Sequence, residues 1–209
     1  MNAFRPFGGR IATRLNAVCR DGFRQSVRVA LDQAALSGLR SIFGFHPWHA
    51  QSPTSARPYR QGVADLVNNV APQVVVEVGC GLGAILARVN AAHRFGYDVD
   101  PGVIRAARLI RSRSIIFAEG GFDQVSQPHI DVLIAVNWPH DFPANQMQRW
   151  LEPLFSRIDY LLVDIIDPGS QSAYSHYHDY AFLGGHAEPV ATSDCGEKLR
   201  RFVLFKVVR

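Results

Sequence analysis

The chain is poor in lysine, cysteine and long apolar runs. Only Lys198 and Lys206 are lysines; the other 20 of its 22 basic residues are arginines, a bias that points to background composition as much as to function. Three cysteines, Cys19, Cys80 and Cys195, are odd in number and far apart, which excludes a disulfide framework and a regular zinc spacing. A reducing, cytoplasmic setting is the expectation. No apolar stretch approaches the roughly 20 residues that cross a bilayer. Charged residues make up 19% and hydrophobic residues 47% of 209, which excludes a disordered chain. There is no internal repeat and no low-complexity tract.

Acids are scarce at the N-terminus. Residues 1–60 hold nine arginines against Asp21 and Asp32, a net +7 that leaves −3 for the remainder. The first twenty residues hold four arginines, no acid and no serine. A solvated helix face accounts for such asymmetry. A basic arm also suits contact with a membrane surface, or with a phosphorylated or lipid-linked acceptor. Nucleic acid is not the expected partner.

Periodicity organises the rest. Ile11, Leu15 and Val18, then Phe23, Val27, Ala30, Leu31 and Ala34, recur at helical spacing, followed by a proline-containing loop over 44–58. This divides the chain into an N-terminal helical arm with its loop, 1–58, and a main domain, 59–209. Strands are expected at 74–78, 94–98, 114–118, 131–136 and 158–164. Helices are expected over about 83–93, after Pro101, and along the stripe Met147, Trp150, Leu151, Leu154, Phe155, which Pro153 should kink or end early. Alternation of this kind makes an α/β, doubly wound, mostly parallel sheet. Segments 187–193 and 201–208 then read as two strands without a helix between them, an antiparallel hairpin.

The sharpest signal is Val74-Val75-Val76-Glu77-Val78-Gly79-Cys80-Gly81-Leu82-Gly83. A buried strand runs into an acid and then into glycine at every second position, so a ligand can approach the main chain closely. Gly79-x-Gly81-x-x-Ala84 also satisfies the loose dinucleotide fingerprint, which keeps an NAD(P)-linked oxidoreductase as an alternative. Strand 2 ends in Tyr97-Asp98-Val99-Asp100-Pro101. A carboxylate at that tip can accept two hydroxyls, and Asp100 before Pro101 suits a helix N-cap.

These two segments resemble motif I and the second motif of the class I S-adenosylmethionine (SAM)-dependent methyltransferases. The resemblance covers about residues 60–209. It implies a seven-stranded Rossmann-like sheet, SAM as cofactor and methyl transfer as the activity. By it, Glu77 holds the SAM amino group, Gly79 and Gly81 admit the methionine moiety, and Gly83 allows close packing of the next helix. Asp98 takes the ribose and Val99 packs near the adenine. The acid that relatives place after strand 3 falls on Gly121 here, so Glu119, Asp123 or the backbone must substitute, with Phe122 covering the ring. Arg57 is a candidate clamp for the cofactor carboxylate. A SAM-fold protein without catalysis is the third reading.

Chemistry is expected at the carboxyl ends of the strands. After strand 4 stand Asn137-Trp138-Pro139-His140-Asp141, with Asn137 at the cofactor, His140 as general base and Asp141 as its orienting partner. His176 and His178 with Asp179 suit a base or a metal site. No further ligand follows at convincing spacing, and no metal is assigned. Phe45-His46-Pro47-Trp48-His49 reads either as acceptor-pocket lining or as a plug anchoring the arm. The acceptor is expected to be a small molecule or glycan presenting an oxygen nucleophile.

Overall fold

The computed structural model describes residues 9–111, 114–169, 174–196 and 198–208, with side chains from residue 22 onward except at Thr54. Seven strands form one sheet: β1 (Val74–Val78), β2 (His93–Asp98), β3 (Ile116–Glu119), β4 (Ile130–Ala135), β5 (Ile158–Ile166), β6 (Ala187–Ser193) and β7 (Arg200–Val207). Their order is β3-β2-β1-β4-β5-β7-β6. The pairs among β1 to β5 are parallel, whereas β7 runs antiparallel to both β5 and β6. The expected hairpin is therefore present, with β7 inserted between β5 and β6.

Alternation along each strand builds two cores. Val75, Val132 and Leu162 face α2 (Tyr59–Asn68) and α3 (Pro101–Arg111), together with Val63, Val67, Val103 and Ile104. Val76, Leu133 and Leu161 face α4 (Ala144–Leu151) with Met147, Leu151 and Leu154. This is the two-residue pleat period of a sheet covered on both faces. Pro153 ends α4 early, in a single 3-10 turn over Glu152–Leu154.

The helix expected over 83–93 does not form. Only Leu86–Arg88 make a 3-10 turn. The glycine turn takes the first residues after β1, and the chain is already extended at Val89, ahead of β2. A 3-10 turn followed by extended Val89 covers more length per residue. Side chains satisfy the carbonyls that a helix would have bonded internally. Arg88 donates to the Ala84 carbonyl, Arg94 to those of Leu86 and Val89, Arg111 to that of Leu82, and Asn68 to that of Arg88.

The arm is one 35-residue helix, α1 (Gly9–Phe43). The side chains of Ile11, Leu15 and Val18 lie outside the described part. Val29, Gln33, Leu36, Leu39 and Phe43 turn toward the body and are half-buried. Gln25 and Gln33 donate to the carbonyls of Ser55 and Ala50, which ties the helix to the loop that follows it. Among the described residues, no helix is long and apolar enough to cross a membrane.

Candidate active site

The carboxyl ends of β1, β2 and β4 open into a cavity of about 690 Å³, a size suited to a cofactor and a small acceptor. Its floor is the glycine turn. Gly79 and Gly81 have φ of 73° and 52°, the left-handed region that glycine enters without strain. The two differ in surroundings. A Cβ at Gly79 would stand 2.2 Å from the Trp138 indole, whereas one at Gly81 would meet only His49 Nδ1, at 3.3 Å. Gly83 lies beneath the cavity rather than in its wall, and there a Cβ would fall 2.6 Å from Phe117. It allows close packing as expected, against β3 rather than through a helix.

Asp98 is buried, and both carboxylate oxygens accept backbone amides, from Gly81 at 2.9 Å and Asp100 at 3.0 Å. Each oxygen keeps a lone pair for a further donor. Asp100 is occupied elsewhere. Its Oδ1 caps α3 through the amides of Gly102 and Val103, and its Oδ2 accepts the His46 amide at 2.6 Å. Burial would raise its pKa, but these amides outweigh that and hold it below the usual carboxylate range. Asp100 thus latches the arm to the tip of β2. The latch sets His49 Nε2 3.8 Å from both Asp98 and Asp100, over the glycine turn.

Glu77 is buried in the cavity wall, and its Oε2 has no hydrogen-bond partner among the described residues. Burial pushes its pKa up to about 8, with Arg60 opposing and Asp98 adding to the rise. A buried carboxylate oxygen without a partner, on a residue that lines a cavity, calls for a donor. Arg57 and Arg60 line the same cavity, as do Val99, Gly121, Phe122 and Asp123.

At the end of β4 the backbone is strained. Asn137 adopts φ 74°, ψ −70°, and the Trp138 amide bonds back to the Val136 carbonyl at 3.1 Å, a γ-turn of the costly hand. Three contacts hold it. The Asn137 amide donates to Asp164 Oδ1 at 3.0 Å; its side-chain oxygen accepts from Arg200; its Nδ2 donates to Tyr59 Oη at 3.2 Å. Arg200 also pairs with the buried Asp164 at 2.6 Å. Tyr59 lies in the cavity wall, stacked on Phe202 and under the Arg200 guanidinium. Burial would raise its phenol, but Arg60, Arg200 and Arg57 together hold it below its ordinary value. Beyond the turn, Trp138, Phe142 and Trp150 form an aromatic wall with Phe122.

The γ-turn corrects the expectation of His140 as base. It sends Trp138 and Asp141 to the cavity and His140 beneath it, where the ring is fully buried. Its Nδ1 lies 3.2 Å from the His176 carbonyl and its Nε2 3.2 Å from that of Asp164, so neither nitrogen is presented to a ligand. His176 is likewise outside the cavity wall, stacked on His178. His178 is bound to the Pro139 carbonyl and Asp179 caps Ala181, so the three do not converge on one point. Asp141 does reach the cavity, with its carboxyl raised by burial despite His140 and His176. Phe45 is buried in the core, as a plug would be, while His46, Trp48 and His49 line the cavity. Sequence reasoning missed Tyr59, Arg60 and Arg200. The Arg-Pro-Tyr-Arg run at 57–60 was the available signal for the first two.

A sheet ordered 3-2-1-4-5-7-6 with an antiparallel seventh strand, and a glycine turn after strand 1, defines the class I methyltransferase fold. Solved structures share it. N-methyltransferase NodS from Bradyrhizobium japonicum WM9 aligns with a TM-score of 0.63 and 15% identity, over 74% of this chain and 97% of its own. Magnesium protoporphyrin IX methyltransferase (ChlM) from Synechocystis PCC 6803, with bound SAH, aligns at 0.56 and 15%, over 73% and 84%. The mitomycin 7-O-methyltransferase MmcR aligns at 0.60 and 15%, over 76% of this chain and 56% of its own, so the match spans about half of that longer protein. No protein-family model matches the chain, and no curated protein does.

Proposed function

We propose that this protein is a SAM-dependent methyltransferase acting on a small-molecule acceptor. One observation carries the reading: the buried Glu77, whose Oε2 has no partner among the described residues, lines the cavity beside an open glycine cradle and the buried Asp98. The donor set fits the cofactor's three polar ends. Glu77 takes the amino group, Arg57 or Arg60 the carboxylate and Asp98 the ribose hydroxyls. Val99, Gly121 and Phe122 bracket the adenine, and His49 closes over the ribose. When bound, SAM supplies an electrophilic methyl group on a sulfonium.

The chain's own residues position and deprotonate the acceptor. The wall of Trp138, Phe142 and Trp150 excludes water and orients it. Tyr59 takes the place expected for His140 and receives the proton of an oxygen nucleophile at its Oη, with Asn137 fixing the phenol. Residues 1–58 act as the lid and residues 59–209 as the cofactor domain. The antiparallel strand and the orphaned acid favour this over an NAD-linked oxidoreductase. Calorimetry with SAM and with NAD tests the choice. SAM is expected to bind and NAD not; the reverse removes the proposal.

A further inference from the structure

α1 carries a second apolar stripe, opposite the one that packs on the body. Phe23, Val27, Leu31 and Ile42 are 70%, 41%, 66% and 76% exposed, and Ala30, Ala34, Ala35 and Gly38 lie exposed among them. Their spacing puts them along one helix face about 29 Å long. An isolated exposed Leu is ordinary, but an aligned row of this length marks a contact surface. Gly38 is the second observation. Glycine is the least favourable residue in a helix interior after proline. A Cβ there would meet nothing within 4 Å, so none of the described residues requires its absence. Close approach of another helix would.

We propose that the outer face of α1 binds a second copy of this chain, as an antiparallel helix pair about a two-fold axis between residues 32 and 33. Such an axis puts Val27 opposite Gly38 and Leu31 opposite Ala34, large against small, with Ala30 opposite Ala35 and Phe23 meeting Ile42. Each copy presents the same stripe, as a two-fold requires. Arg24 and Arg28 stand opposite Ser41 and Ser37, so no like charges face each other. An anionic bilayer is the rival occupant, and the charge pattern disfavours it. Cationic side chains flank only one end of the stripe; from residue 29 onward the helix carries Arg40 and Asp32 alone. Pairing would also steady Leu36, which α1 contributes to the cavity wall from its other face.

A single helix pair is narrower than a standard interface, so dissociation on the order of micromolar is expected. Sedimentation velocity from about 1 to about 200 μM should show the mass rising to twice that of the chain. Leu31→Arg should stay monomeric with unchanged helix content by circular dichroism. Gly38→Leu separates the readings: on a merely solvated face it strengthens the helix and leaves the mass unchanged, whereas here it weakens association at least tenfold. Spin labels at Ser41 should lie about 25 Å apart, as 17 residues of helix dictate. A monomer at every concentration, a dimer indifferent to both substitutions, labels in close contact, or a monomer that floats with phosphatidylserine vesicles would each overturn the proposal.

Discussion

The Asn137 side-chain amide donates to Tyr59 Oη over 3.2 Å, although the two residues stand 78 apart in the chain. Arg200 favours that direction. It holds the Asn137 oxygen, which also lies 3.5 Å from the phenol, so the shorter contact is the one from Nδ2. The phenolic oxygen is thus an acceptor within a ring of guanidinium groups, which is the arrangement that favours its anion. In Tyr59→Phe, SAM affinity should stay within a few-fold while turnover of an oxygen acceptor falls by about 10²-fold or more. Ultraviolet titration supplies a check without an acceptor. One of the six tyrosines should ionise below the ordinary value of about 10, and Tyr59→Phe should remove that step. If the step persists, Tyr59 is not the proton acceptor.

Asp98→Ala should weaken SAM binding at least tenfold by calorimetry, since the two charge-assisted hydrogen bonds proposed to the ribose would be lost. An unchanged affinity removes Asp98 from the site.

Glu77 makes cofactor binding and stability depend on pH in opposite directions. Its carboxyl, pushed up to about 8, must lose its proton to hold an ammonium group, so SAM affinity should climb as pH rises toward 8. Glu77→Gln should flatten that slope and weaken binding roughly tenfold at pH 8. Without ligand the sign reverses. The folded state holds a proton that the unfolded state has lost between about pH 4.5 and 8, so stability from this group falls as pH rises through that window. Glu77→Gln should therefore melt higher than the parent at pH 8, with the gap closing toward pH 4.5.

Asp164 behaves oppositely. Burial would raise its pKa, but Arg200 and His140 outweigh it and hold the carboxyl below its usual range. Its stabilising contribution is present above its unfolded pKa and is lost as pH falls through the lower folded value. Asp164→Asn leaves Arg200 without its buried carboxylate and releases the strained turn. A loss of roughly 3–5 kcal/mol in denaturant unfolding is expected; a loss under 1 kcal/mol would remove this pair as the anchor of Asn137.

The two cradle glycines should separate fold from ligand. Both substitutions to alanine carry the left-handed strain, about 1–2 kcal/mol. Gly79→Ala adds a collision with Trp138 and should be less stable than Gly81→Ala by about 1–3 kcal/mol. Equal unfolding midpoints would contradict the packing described at Gly79.

Strand positions were legible because burial on both faces writes continuous apolar runs. All five parallel strands and the hairpin lie within about two residues of where periodicity put them. Glu77, Gly79, Gly81, Asp98, Val99, Gly121, Asn137 and Arg57 meet at one cavity, since a strand end and the turn after it are local features. The helix expected over 83–93 failed for a reason invisible in Ile85, Leu86 and Val89. Their spacing suits a helix, but two of the arginines that bond the turn carbonyls, Arg94 and Arg111, come from β2 and α3.

Local pattern thus settled which segments are strands and which acids stand at their tips, because a two-residue pleat and a strand-to-helix turn are short-range in the chain. The direction of each side chain beyond those tips was decided in three dimensions. His140 stands three residues past Asn137, yet a single γ-turn, held by Asp164, Arg200 and Tyr59 from distant elements, buries it and turns Asp141 outward. Backbone strain of that kind survives only where packing over-determines it, and packing is not written in any one stretch of residues.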